Sequence, residues 1–401
     1  MLLKKNKINK LKKIKKHKEK IKGKERNAGV DLCRVLGMID IIVFHIIIGG
    51  NIRGPYQNYE KKFKFMEILT QWHISTFGII SGIVGFKTNK YSNLLYLYLC
   101  VLFYSLTIHY IVKKYYKNKF AYYSSNIGLP QDYYYPVTRG DYWYFSTYFG
   151  MYLFLPLINK GLSLVDKAEL RIIILSLYGI LFIWKDIMSK DPQKYCSDTC
   201  FTTLSMYFIL GAYIGKYNLK HKINNRSIFY YLYYLFWMII FFYSSYITYY
   251  LMFYEGNNKW SLFFKKIFYN RSNSISMVLQ SISIILIFLK IKYNKNIAKI
   301  ISFFGPLSFS AYLIHNHQDI RPILFPSIFR SISSSNLSFK YLVYLFITKG
   351  TLVFFVCMII DYLRYLLFAI LRIRQICIFI EKIIFSFTRK ITGDEDRYLE
   401  I

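Results

Sequence analysis

Acidic residues are scarce in this chain. It has 21 Asp and Glu against 54 Lys and Arg over 401 residues, a formal charge of +33. Such a balance raises nucleic-acid binding as a reading. The long apolar segments argue against it, and a membrane protein with basic cytoplasmic loops explains the charge directly. Cysteine is sparse too. The six Cys are scattered, and no Cys/His grouping has zinc spacing, so no metal is expected. Cys33, Cys100, Cys357 and Cys377 lie in or beside apolar segments, where thiols serve as small packing residues. Cys196 and Cys200, in CSDTC, leave a disulfide open. No apolar h-region precedes the first long apolar run, and no small-residue cleavage site follows one, which excludes a signal peptide. No internal repeat and no second soluble domain is visible. The missing repeat counts against a transporter built from inverted halves.

What is present is apolar and aromatic. Hydrophobic residues make up 54% of the chain and aromatics 20%, more Tyr and Phe than a soluble core needs. Membrane interfaces favour such residues. The predicted fold is an all-α membrane protein of about ten transmembrane helices, each near the length of about 17–25 residues that a span requires. They fall at 31–50, 68–86, 91–112, 142–159, 170–185, 200–215, 228–252, 274–291, 299–316 and 341–367. An even number puts both termini on one side, and charge places that side in the cytoplasm. Loops 216–227 and 290–299 each carry four Lys or Arg and no acid, whereas 186–199 and 253–271 mix both signs. The run 113–119, with four Lys on the expected outer side, fits poorly.

Three parts are expected. Residues 1–28, with 13 Lys and Arg against Glu19 and Glu25, form a basic cytoplasmic leader held against anionic lipid. Residues 29–370 form the transmembrane domain. Residues 371–401 form a cytoplasmic amphipathic helix and tail.

The chemistry is concentrated in the first span, DLCRVLGMIDIIVFHIIIGG at 31–50, which carries Asp31, Arg34, Asp40 and His45. An ionisable group costs about 2.5–3.5 kcal/mol at a helix centre on insertion scales, so four in one span call for an explanation. Arg34 and His45 are eleven residues apart, close to three turns. They fall within about 20° of one face and about 16 Å apart along the axis. Imidazole exchanges protons near neutral pH, which makes His45 the leading candidate for a general base. The bland alternative has Arg34 snorkelling to the headgroups and His45 packing between helices.

Asp31-x-x-Arg34 followed by His45 resembles the opening of the acyltransferase family 3 membrane proteins. Further phrases fall in the family's order: FGIISG at 77–82, YWYFSTYFGMYLFLPLIN at 142–159, LGAYIG at 210–215, SFSAYLIH at 308–315 and DYLRYLLF at 361–368. The resemblance implies a multi-span O-acyltransferase that moves an acyl group, commonly acetyl, from cytosolic acyl-CoA to a hydroxyl of a glycan or polysaccharide. It makes His45 and Arg34 catalytic. It places Asp31, His315, Trp143 and Ser81 at the substrate. Arg34 either holds the donor's phosphates or only pairs with Asp31, one turn away. Many members carry an Arg-x-x-x-Arg pair after the second span. This chain offers Lys87 and Lys90, which bind phosphate as point charges without the bidentate fork.

Residue-level alternatives stand beside these. Ser81-Gly82 also reads as close helix packing, Trp143 and Tyr144 as interface anchors, and Asp361 with Arg364 as a structural pair. The expected partners are membrane lipid and a glycan acceptor, with no nucleic acid, in the plasma membrane. The competing function is a multi-span transporter of a small polar or glycan-related substrate, since intramembrane His, Arg and Asp also mark transport pathways. A third reading is a family member that only binds.

Overall fold

A computed structural model describes residues 26–49, 60–86, 90–115, 133–184, 188, 200–218, 228–254, 274–333 and 338–392. Lys87, Cys196 and most of the basic leader lie outside the described residues. Among the described residues every regular element is helical. Five helices are long and apolar enough to cross a membrane: α1 (Ala28–Gly49), α4 (Tyr91–Tyr115), α9 (Ile228–Tyr254, over Ile228–Thr248), α11 (Lys295–His315) and α13 (Phe339–Ile370). The chain is a multi-pass membrane protein on these helices.

Other apolar segments are broken, and the breaks have causes. The expected second span, 68–86, is mostly α3 (His73–Gly85), and its start overlaps only the end of a separate α2 (Glu60–Leu69). At the joint the Thr70 hydroxyl donates back to the Met66 and Glu67 carbonyls, both at 3.0 Å. Such back-bonding competes with the helical ladder. The fourth divides at Phe154 into α5 (Trp143–Leu153) and α6 (Leu155–Leu164). Pro156 has no N–H to donate and its ring crowds the preceding turn. α7 (Lys167–Tyr178) starts at a capping box, in which Asp166 accepts from the N–H of Ala168 and Glu169 while Glu169 accepts from the N–H of Asp166. α7 continues as a π-helical turn, Gly179–Trp184, and α8 (Phe201–Tyr213) as another, Ile214–Asn218. α10 (Ile275–Lys290) precedes α11. α12 (Arg321–Ser333), which the sequence reading leaves without structure, and α14 (Ile373–Thr392) follow, and a single helical turn at Pro136–Arg139 precedes α5.

Side-chain contacts fix the directions. α1 and α11 run parallel, because Asp31 lies against Gly305 and His45 meets His315. α13 runs against α4, since Tyr104 meets Asp361 and Tyr96 meets Arg364. α1, α4, α7, α9 and α11 point one way, while α3, α5–α6, α8, α10 and α13 point the other. A close backbone contact joins α3 to α8. A Cβ on Gly82 would strike the Phe208 carbonyl, and one on Gly211 would strike the Ile79 carbonyl. Two bare backbones lie in mutual contact there, as small residues permit between membrane helices. Gly82 therefore serves packing, as the bland reading of the Ser81-Gly82 pair expects.

Candidate active site

A cavity of about 230 Å³ lies between α1, α3, α4, α5 and α11. Its wall is mostly apolar, with Met38, Ile41, Phe77 and Phe309 prominent. Little of its surface is polar, as small-molecule sites usually have it. Arg34 stands toward the start of α1 and His45 toward its end, and both reach the cavity. The stripe read from the sequence is therefore one wall of a real enclosure.

At the Arg34 end, the Asp31 carboxylate is buried. It accepts from Arg34 Nη1 at 2.8 Å, and from Arg26 Nη2 at 3.0 Å and Nε at 3.1 Å. Arg26 approaches from the helix's leading edge, so Asp31 already has a full partner. Arg34 uses one nitrogen on it and keeps the rest of its guanidinium for the cavity. Asp31 is not on the cavity wall. It holds Arg34 and packs against Gly305.

At the other end, His45 Nδ1 lies 3.0 Å from His315 Nε2. The arrangement of protons follows from the last acceptor in the chain. His315 Nδ1 lies 2.5 Å from the Ala311 carbonyl, which can only accept, so His315 Nδ1 carries its proton. In the neutral ring Nε2 then holds a lone pair and accepts from His45 Nδ1–H. His45 Nε2 is left with its own lone pair. A second imidazole thus fixes the tautomer of the first, which is how enzymes orient a base. His315 stands behind His45, off the cavity wall, with Phe325 packed against both rings at 5.9 and 6.3 Å.

Trp143 and Ser81 also line the cavity, with Tyr144 and Tyr148 beside them. Ser81 Oγ donates to the Phe77 carbonyl at 2.8 Å, an ordinary helical bond rather than a nucleophile's contact. Lys90, at the head of α4, is exposed and not on the wall. The sequence reading leaves His73 without a role, although it lines the cavity with its side chain only 4% exposed.

Beyond α11 a second polar group closes the expected outer end. His109 Nδ1–H donates to Asp319 at 3.0 Å, and the Tyr133 hydroxyl donates to its other oxygen at 2.9 Å. The Asp319 N–H donates to His317 Nδ1 at 3.1 Å, and His317 Nε2–H donates to the Ser105 carbonyl at 3.2 Å. Burial pushes His317 down to about 4, with the Asp319 carboxylate opposing. Burial, and Asp319 beside it, push the Tyr133 phenol above its usual range. This group ties α4 and the 133–142 turn to the end of α11, and fixes the helix end that bears His315.

Residues 27–365 match the acyltransferase family 3 model, described as an acyltransferase domain. The chain belongs to that family. No curated protein and no solved structure matches it. The chain is a membrane acyltransferase, and the cavity between Arg34 and His45 is its candidate active site. Among the described residues no group of His, Cys, Asp and Glu could hold a metal.

Proposed function

We propose that this acyltransferase takes an acetyl group from cytosolic acyl-CoA and delivers it to a hydroxyl of a glycan or polysaccharide. The observation that carries the reading is the polarity of the cavity: a cation at one end, and at the other an imidazole whose free lone pair is set by a second imidazole. An acyl-CoA donor is anionic at its phosphates and uncharged at its thioester. Arg34 suits the first part and the apolar wall suits the arm that follows. At the far end His45 Nε2 removes the proton of the acceptor hydroxyl as its oxygen attacks the thioester carbonyl. General-base assistance of this kind contributes about 10²–10⁴-fold.

His315 acts through His45, not on substrate. Trp143 and Ser81 line the path of the substrate, and Lys87 and Lys90 add cationic charge where the donor enters. The reading carries a topology: ten membrane-crossing segments in the plasma membrane, both termini cytoplasmic, with the basic leader (1–28) and the residues after 370 at the lipid surface. The acceptor is a glycan presented from the other side. No nucleic acid takes part.

The test is turnover of radiolabelled acetyl-CoA by purified protein in nanodiscs supplied with a glycan extract. Wild type should release free thiol and transfer label, and His45→Ala should lose about 10²-fold or more in kcat. Equal turnover in His45→Ala would remove the base assignment. Absence of both turnover and acetyl-CoA binding in wild type would remove the reading.

A further inference from the structure

His73 is the second imidazole on the cavity wall. It is the first residue of α3, set there by the break at Thr70–Trp72. Its Nδ1–H donates to the Thr70 carbonyl. No described residue bonds its Nε2, so that nitrogen is available to the cavity it lines. Asp40 Oδ2 lies 3.8 Å from His73 Nδ1, and that oxygen is buried with no hydrogen bond. A carboxylate oxygen buried without a partner disfavours the charged form. At 3.8 Å the carboxyl is beyond a hydrogen bond from the ring but close enough to serve as its counter-charge when the ring is protonated. With a proton on the ring, Nδ1–H faces Thr70, Nε2–H faces the cavity and Asp40 supplies the counter-charge.

Position along α1 gives the pair a place in the reaction. His73 is close to Asp40 and packs edge-on against Phe44 at 5.4 Å, while the His45 ring lies 5.8 Å from the same Phe44. Asp40 is six residues beyond Arg34 and His45 five beyond Asp40, about 9 and 7.5 Å along the axis. From the cationic end the order is Arg34, His73, His45. In an acyl thioester anchored by its phosphates, the order is phosphate, sulfur, carbonyl carbon, and then the attacking hydroxyl.

We propose that His73, with Asp40, is the general acid that protonates the departing sulfur. This rests on the acetyl-transfer reading above. The acceptor oxygen bonds to the carbonyl carbon, and its proton goes to His45 Nε2. The carbon–sulfur bond breaks as the proton on His73 Nε2 moves to sulfur, and free thiol leaves. The proton held by His45 then returns to the Asp40–His73 pair, so the site is restored with no net gain or loss. His73 is a catalytic residue under this scheme, and Asp40 is a positioning residue that keeps the proton in place.

The experiment compares two donors, acetyl-CoA and thiophenyl acetate, by thiol release in wild type, His73→Gln and Asp40→Asn. An alkyl thiolate is a poor leaving group and needs the proton; an aryl thiolate leaves readily without it. His73→Gln should lower kcat with acetyl-CoA by about 10²–10⁴-fold, and with thiophenyl acetate by less than about tenfold. Asp40→Asn should shift the ratio of the two donors in the same direction by a smaller factor. A structural role predicts an equal loss with both donors, and that result overturns the proposal, as does no loss with either. If His73→Gln does not fold, as judged by its melting curve, the Asp40→Asn ratio decides alone, and an unchanged ratio overturns the proposal. Wild type that turns over acetyl-CoA and loses it in His45→Ala keeps the transfer reading whatever His73 does. Wild type inactive with both donors ends both.

Discussion

The chain carries the pattern Asp-x-x-Arg twice within apolar helices, at Asp31–Arg34 on α1 and at Asp361–Arg364 on α13. Both pairs are in contact one turn apart, with Nη–Oδ1 distances of 2.8 and 2.7 Å. Their surroundings differ. Arg364 gives Nη2 and Nε to Asp361 and Nη1 to the Tyr96 hydroxyl, while the Tyr104 hydroxyl donates to the same carboxylate. Its guanidinium is used up in joining α13 to α4. Arg34 gives one nitrogen to an aspartate that already has Arg26, and turns the remainder toward a cavity. The same Asp-x-x-Arg pattern thus yields a brace in one place and a guanidinium on a cavity wall in the other. What separates them is how many bonding positions the neighbouring helices leave open.

Substitutions can break that contrast. The largest effect should come from Arg364→Ala, which leaves a buried carboxylate uncompensated. Breaking such a pair costs about 3–5 kcal/mol, to be read as a lowered unfolding midpoint in detergent, with donor KM in the surviving fraction unchanged. Arg34→Ala should do the reverse. Loss of a charge-assisted hydrogen bond of about 1.5–3 kcal/mol should raise the KM for acetyl-CoA roughly ten- to a hundredfold. The midpoint should move little, because Arg26 still neutralises Asp31. If Arg34→Ala unfolded the protein as readily as Arg364→Ala, the two pairs would be alike and Arg34 would be a brace. Gly82→Ala tests the helix contact beside the site. A methyl forced against the Phe208 backbone should cost about 1–3 kcal/mol, seen in the melting curve, with partial loss of activity as α3 shifts. Tyr96→Phe is the mildest, removing one hydrogen bond from Arg364 for about 1 kcal/mol.

Much of this was legible in the sequence because it is local. Arg34 and His45 share a face by helical period alone, and Asp361 and Arg364 meet for the same reason. The small residues of FGIISG and LGAYIG do mark a close helix contact, though which helices meet there is a tertiary fact. His315 was singled out from the sequence, but its partner was not. It meets His45 across 270 residues of chain, and no spacing encodes that contact. His73 carried a signal that could have been read. Thr70 and Gln71 interrupt an apolar run, and a polar interruption inside a span marks a broken helix and an exposed end. α12 was hidden by Pro322 and Pro326, which suggest a loop although the segment is helical in the structure. Asp319 and His109 lay far apart and were joined only when α4 and α11 ran side by side.

The contact between Asp31 and Gly305 has a further consequence. With no side chain at 305, α11 rests directly on the carboxylate that holds Arg34, and ten residues later it presents His315 to His45. At the same end of α1, Gly29 sits on the Phe288 carbonyl of α10. Neither neighbour can slide along α1 without a clash. The distance from guanidinium to imidazole is therefore held fixed by packing. On the acetyl-transfer reading proposed above, that fixed length sets which bond of a phosphate-anchored donor comes to rest beside His45.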